Sequence, residues 1–104
     1  MPNEHYILSI DQSTNVTKVM LFDEKGSLFA KVERPHRQII TKEGWIEHDP
    51  DEIYRNMLDG IRELLAKSGV HPSQVLAAGL CNQRETAVVW ARNGKPLCNA
   101  VVWK

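Results

Sequence analysis

Between the apolar runs Tyr6-Ile7-Leu8-Ser9-Ile10 and Val16-Thr17-Lys18-Val19-Met20-Leu21-Phe22 lies Asp11-Gln12-Ser13-Thr14-Asn15, which gathers an acid, hydroxyls and amides with no aliphatic side chain. Successive turn amides form a concave donor cluster for an anion, the hydroxyls of Ser13 and Thr14 add donors, and Lys18 brings positive charge a few residues on. This combination suits a phosphate group. Asp11, at the end of an apolar strand, suits a Mg²⁺ ion held through water, because that ion takes few carboxylates and keeps much of its hydration. The same residues also describe an ordinary hairpin turn in which Asp and Asn satisfy their own backbone. A second polar corner, Asn82-Gln83-Arg84-Glu85-Thr86, follows another apolar run. There Arg84 offers several donors and Glu85 offers acceptors, a pairing that answers the hydroxyls of a polyol, and Trp103 at a later strand end would wall its carbon chain. A local ion pair beside a buried Trp accounts for these residues equally well.

The elements that must position these residues follow from pattern. The two apolar runs predict a hairpin, and Asp23-Glu24-Lys25-Gly26 predicts a turn into a third strand from Leu28 to Val32, giving an antiparallel meander. The continuous apolar character of Tyr6-Ile7-Leu8 predicts a central first strand covered on both faces. Residues 35–48 have no sustained period and read as an ordered excursion anchored by Ile39, Ile40, Trp45 and Ile46. Asp49-Pro50-Asp51-Glu52 predicts a helix start, with Asp49 as N-cap, Pro50 at the first helical position and Glu52 completing a capping box. Ile53, Met57, Ile61, Leu64 and Leu65 recur at helical spacing, with Tyr54 and Leu58 widening the stripe, and Gly69 suits the helix end. Val75 to Leu80, Ala87 to Trp90 and Pro96 to Trp103 predict further strands, with a turn at Arg92-Asn93-Gly94-Lys95.

Composition bounds the rest. At 104 residues the chain has room for one domain and a modest core. Lys plus Arg and Asp plus Glu stand at 13 each, which supplies no field for nucleic acid or an anionic membrane. An apolar fraction of 42% with 25% charged residues describes a folded α/β unit. The sequence shows no signal peptide and no run long enough to span a bilayer, so a cytoplasmic setting is expected. Cys81 and Cys98 are too few and too far apart for a zinc site and are expected to pack as thiols. The apolar segment reaching Trp103 leads us to expect a fragment of a longer protein.

In order and spacing, Ile10-Asp11-Gln12-Ser13-Thr14, Leu21-Phe22-Asp23-Glu24-Lys25-Gly26, Gly44-Trp45-Ile46-Glu47-His48-Asp49-Pro50, Asn82-Gln83-Arg84-Glu85-Thr86 and Gly94-Lys95-Pro96 with Asn99-Ala100-Val101-Val102-Trp103 resemble the N-terminus of glycerol kinases of the FGGY carbohydrate kinase family. The resemblance implies a ribonuclease-H-like, actin-type α/β fold with a mixed sheet, truncated here, with residues 1–104 forming the N-terminal part of kinase domain I and the rest of domain I and domain II absent. It implies ATP and Mg²⁺ as cofactors, with nucleotide phosphate contacts from Asp11, Gln12, Ser13, Thr14, Asn15 and Lys18, and Mg²⁺ held by Asp11 through water. It implies glycerol or a similar polyol bound by Arg84, Glu85 and Trp103, a catalytic base Asp beyond Lys104, and a homo-oligomeric parent. The chain departs from the family pattern in places. Ser13 stands where Gly is usual, Asn15 and Val16 replace a hydroxyl pair, and Lys18 replaces Arg, exchanging a bidentate fork for a point charge. These departures leave room for another polyol such as erythritol, or for a non-catalytic binding or regulatory module on the same fold.

Overall fold

The computed structural model describes residues 4–83 and 86–102. In chain order it contains strands β1 (Tyr6–Gln12), β2 (Val16–Phe22), β3 (Leu28–Pro35), β4 (Ile39–Ile40) and β5 (Ile46–His48), helix α1 (Pro50–Ser68), a 3₁₀ turn (Pro72–Gln74), and strands β6 (Val75–Asn82) and β7 (Ala100–Val101). The predicted meander forms. β1 pairs antiparallel with β2 from Ile7 opposite Phe22 to Gln12 opposite Thr17, and β2 pairs antiparallel with β3. Asp23 organises the intervening turn, its carboxylate accepting from the amides of Lys25 and Ser27 at 2.9 Å each, while Gly26 supplies φ 81°. β6 then returns parallel to β1, giving a mixed sheet in the order β3-β2-β1-β6. A parallel partner requires a crossover, which α1 supplies.

Strand alternation sorts the residues by face. Tyr6, Leu8 and Ile10 of β1, Val19 and Leu21 of β2 and Val32 of β3 are buried with Leu64 of α1 and Val70. The opposite face has no covering layer among the described residues: Ile7 is 42% exposed and Leu28 51%. The first strand is therefore interior to the sheet but covered on one face, not two. The helix lies across β2 and β3 and only touches β1. Leu80 of β6 consequently remains 67% exposed even though it pairs with Ile10 in the register. Cys81 and Cys98, expected to pack, are both exposed: Cys81 is opposite Asp11 on the uncovered face of the sheet, and Cys98 lies outside the strands.

Helix α1 begins and ends where its sequence dictates, with one difference. Asp49 caps it by accepting from the Asp51 amide at 3.0 Å, and Gly69 closes it at φ 73° with its amide donating to the Leu65 carbonyl. The expected capping box is not made, because the Glu52 carboxylate instead accepts from the Arg37 amide at 3.0 Å and tethers the preceding loop. Along the stripe, Leu64 is fully buried and Met57, Ile61 and Leu65 pack around the core, whereas Tyr54 is 59% exposed. Helix and sheet approach closely at Gly60, where a Cβ would meet Val19 Cγ2 at 2.9 Å.

The excursion of residues 35–48 carries a small hairpin, β4 with β5, turned at Gly44 (φ 85°). Ile40 and Trp45 do not anchor it, being 71% and 57% exposed; the burial falls on His36 and His48 instead. β7 pairs with β5 to complete a second sheet, β4-β5-β7. The strand expected from Ala87 to Trp90 is reduced to isolated bridges, Ala87 to Val101 and Trp90 to Pro96, and the last apolar segment keeps strand geometry only at Ala100–Val101. Its polar neighbours and the tight turn at Gly94 leave too short a run for a regular ladder.

Candidate functional site

The turn after β1 is closed from within and held from behind. The Ser13 amide and hydroxyl both donate to the Val16 carbonyl, at 2.9 and 2.8 Å, so this hydroxyl fixes the turn. The His36 amide donates to the Asn15 carbonyl at 2.9 Å, and the Gln38 side-chain amide donates to the Thr14 carbonyl at 3.3 Å. Pleating then splits the residues expected to meet phosphate. Asp11 and Lys18 are register partners on the uncovered face, and Lys18 is also opposite Glu33 of β3. Neither Asp11 nor Lys18 joins an ion pair among the described residues. The Lys31 hydrogen bond and charge, with Lys18 contributing, hold the Glu33 carboxyl below its usual range. Gln12 and its partner Thr17 face the helix side.

On that side lies a network of half-buried side-chain amides and buried imidazoles. Gln12 Nε2 donates to the Ser13 carbonyl at 2.9 Å and to Gln83 Oε1 at 2.6 Å, which uses both of its hydrogens. Gln83 Nε2 donates to Thr86 Oγ1 at 2.8 Å and to His48 Nδ1 at 3.2 Å. His48, fully buried, continues from Nε2 to Gln38 Oε1 at 2.9 Å, and Gln38 Nε2 reaches the carbonyls of Thr14 and His36. The His36 ring lies beside this network, its Nε2 3.5 Å from Gln12 Nε2; Asn56 of α1 donates to its Nδ1 at 3.1 Å and to the Pro35 carbonyl, leaving Nε2–H to bond Thr17 Oγ1 at 2.9 Å. That arrangement describes a neutral ring. Burial first, then the neighbouring His48, pushes the His36 pKa below its ordinary 6.5, against an opposing pull from Glu52.

Sequence reasoning found the turn but not this network. Thr17, His36, Gln38 and Asn56 carry no periodic or motif signal of their own, and His48 and Gln83 stand out only as parts of longer strings. One clue was present: His36 and His48 bracket the aperiodic stretch, where a buried polar residue is the alternative to an apolar anchor. Arg84, Glu85 and Trp103 lie outside the described residues. Gln83 and Thr86, on either side of 84–85, belong to the network. A cleft of about 490 Å³ opens beside it, between α1 and β6, lined by Gln12, Met57, Leu80, Gln83, Thr86 and Trp90 among others.

The donor set fits a nucleotide phosphate with its metal. Asp11 is a half-buried carboxylate in no ion pair among the described residues, Lys18 is its register partner, and the Ser13-Thr14-Asn15 turn is tied by hydrogen bonds, all at the end of a buried strand. Among the described residues no group of three or more His, Cys, Asp or Glu side chains could by itself hold a metal ion. No helix among the described residues is long and apolar enough to cross a membrane.

Comparisons with known proteins agree along the chain. It is 49% identical to glycerol kinase 1 of Thermotoga maritima over 100 residues, covering 95% of this chain and 20% of that protein. It is 45% identical to the glycerol kinase of Beutenbergia cavernae over 95% of this chain and 20% of that one. Among solved structures, Plasmodium falciparum glycerol kinase with ADP superposes with a TM-score of 0.81 at 40% identity, covering 96% of this chain and 20% of the other. A ligand-bound xylulose kinase from Lactobacillus acidophilus superposes with a TM-score of 0.85 at 27% identity, over 95% and 20%. The chain thus spans about a fifth of the length of the curated relatives it matches. The N-terminal-domain model of the FGGY family of carbohydrate kinases matches residues 6–104. With a mixed sheet crossed by a long helix, the chain belongs to the FGGY family of carbohydrate kinases.

Proposed function

We propose that this chain is the N-terminal part of domain I of an ATP-dependent polyol kinase whose acceptor is glycerol, transferring the terminal phosphoryl group of ATP to give glycerol 3-phosphate. The observation that carries the reading is the tied turn after β1, with an acid and an ammonium in register on an open sheet face. Identity near half to proteins named glycerol kinases supports glycerol over other acceptors. Phosphoryl transfer is chiefly a matter of positioning and charge stabilisation. The Thr14 and Asn15 amides and the Thr14 hydroxyl would bind phosphate oxygens, Lys18 would offset their charge, and Asp11 would hold Mg²⁺ through water. Bound there, the metal would neutralise charge developing on the phosphates. Ser13 and Gln12 act on the turn itself, the first by closing it and the second by anchoring it to Gln83. Arg84 and Glu85 would bind the acceptor hydroxyls, with Trp103 against its carbon chain, and the base would come from the remaining polypeptide.

The test is steady-state kinetics on the full-length protein, with glycerol and ATP varied separately. Arg84→Ala and Glu85→Gln are expected to raise KM for glycerol or lower kcat at least tenfold while leaving ATP affinity within a few-fold. Propanediols are expected to be much poorer acceptors, because a missing hydroxyl strands a buried partner at about 1–3 kcal/mol. Unchanged glycerol parameters in both variants would remove these residues from the site. Preferred turnover of erythritol would reassign the acceptor.

A further inference from the structure

We infer that Gln83 and His48 are positioning residues that lock the phosphate turn to the acceptor corner, so that the two halves of the site are set by one hydrogen-bonded ring; this rests on the kinase reading above. The ring runs from Gln12 to Gln83 at 2.6 Å, from Gln83 to His48 at 3.2 Å, from His48 to Gln38 at 2.9 Å, and from Gln38 back to the Thr14 carbonyl at 3.3 Å. It therefore grips the turn at two points, Gln12 on one side of Ser13 and Thr14 on the other. Gln83 also donates to Thr86, so the residues on both sides of 84–85 are fixed by the same side chain.

The chemistry of each member suits a lock and not a ligand contact. Both hydrogens of the Gln12 amide and both of the Gln83 amide are engaged, one of each within the ring and the others on the Ser13 carbonyl and Thr86 Oγ1, and a glutamine amide has only two. His48 is 0% exposed, so it meets neither substrate directly. Buried polar rings of this kind are worth keeping only when complete, since a half-satisfied network leaves desolvated groups without partners. Two points of the turn and two of the corner thus move together or not at all. A phosphate and an acceptor hydroxyl must approach within about 3–3.5 Å for transfer, and relative misplacement of the two halves by about 1 Å costs on the order of a hundredfold in rate. A lock between the halves acts on kcat more than on either binding step.

The experiment uses full-length protein with Gln12→Met, Gln83→Met, the double variant, His48→Asn and Gln83→Glu. Each Met variant is expected to lower kcat at least tenfold, with KM for ATP and for glycerol each moving less than about threefold. The double variant should be no slower than the slower single one, because the first cut already opens the ring. Gln83→Glu, which still accepts from Gln12, should recover part of the loss relative to Gln83→Met. Multiplicative losses in the double variant, or single losses confined to one KM, would overturn the lock. Hydrogen exchange provides a readout that needs no turnover. Gln12→Met should speed amide exchange across 81–87, and Gln83→Met should speed it across 12–16, with the exchange of α1 unchanged. A protein that shows no kinase activity but keeps this reciprocal exchange would refute the kinase reading and sustain the lock. Independent exchange at the two segments would refute the lock whatever the activity.

Discussion

At the residue scale the informative side chains are those whose partners the sequence could not announce. Ser13 invites the expectation that its Cβ obstructs a phosphate, since Gly would free φ at such a turn. Its hydroxyl instead closes the turn onto Val16 at 2.8 Å. Ser13→Gly should therefore loosen the turn by about 1 kcal/mol and weaken nucleotide binding, whereas Lys18→Ala should weaken it through charge with the turn intact. Nucleotide titration of both variants, together with their thermal midpoints, separates the effects: stability falls only in the first. His36 yields a pH prediction. Its folded pKa is depressed by burial, so on acidification the unfolded chain takes up a proton before the folded one does. Unfolding then gains from acid, and stability held above pH 6.5 is lost progressively as pH falls from there toward the folded value. Denaturant midpoints measured from pH 8 to pH 5 should decline below 6.5, and His36→Gln should flatten that decline. An equal slope in the variant would assign it to other groups.

At the element scale, what could be read from sequence is what repeats or caps. The hairpin, the meander, the span of α1, its Asp49 start and its Gly69 end all follow from period and local chemistry, because those signals act within a few residues. The capping box failed as a reading because Glu52 has a competing donor, the Arg37 amide, which is near in space but not in the local pattern. Asp49→Ala is accordingly expected to destabilise the helix by about 1 kcal/mol, while Glu52→Ala should act mainly by loosening residues 36–38, a difference visible in site-resolved hydrogen exchange. Gly60 makes a sharper case. An alanine there should improve helix propensity by about 1 kcal/mol, yet its Cβ would come within 2.9 Å of Val19 Cγ2 on a fully buried side chain. Overpacking of that kind costs about 1–3 kcal/mol, so Gly60→Ala should be net destabilising and Val19→Ala should partly relieve it. A double-variant cycle by urea unfolding checks the sign, and additive losses would show that the contact is not what excludes a side chain at residue 60.

At the scale of the whole molecule, the layer order is legible from local pattern, whereas which faces stay open is not. Tyr6-Ile7-Leu8 reads as doubly covered, but the described residues cover only one side, leaving Ile7 exposed on the other, and on the covered side α1 stops short of β6, so that Leu80 is exposed as well; Leu28 and Leu76 are also exposed. Apolar surface of this extent invites association. The 104-residue segment by itself should therefore bind an apolar-sensitive dye and self-associate with rising concentration, and Leu76→Lys combined with Leu80→Lys should reduce both. A monomer at high concentration without dye signal would contradict this. The candidate site shows the same division. Its turn was legible because polar residues between apolar runs are conspicuous, whereas the ring behind it joins residues 12, 38, 48 and 83 across three connections that no local pattern links.

The parallel pairing of β1 with β6 also sets the order of assembly during synthesis. β1, β2 and β3 are neighbours in sequence, and hairpins of this kind zip in roughly 1–10 μs. The second edge of β1 must wait for residues 75–82. At about 5–20 residues per second, that edge stays bare on the ribosome for several seconds, a long exposure for an unpaired apolar strand. The nascent segment should therefore hold a chaperone until Asn82 clears the exit tunnel and release it soon after, so that arrested chains long enough to expose only α1 crosslink strongly and those exposing β6 do not.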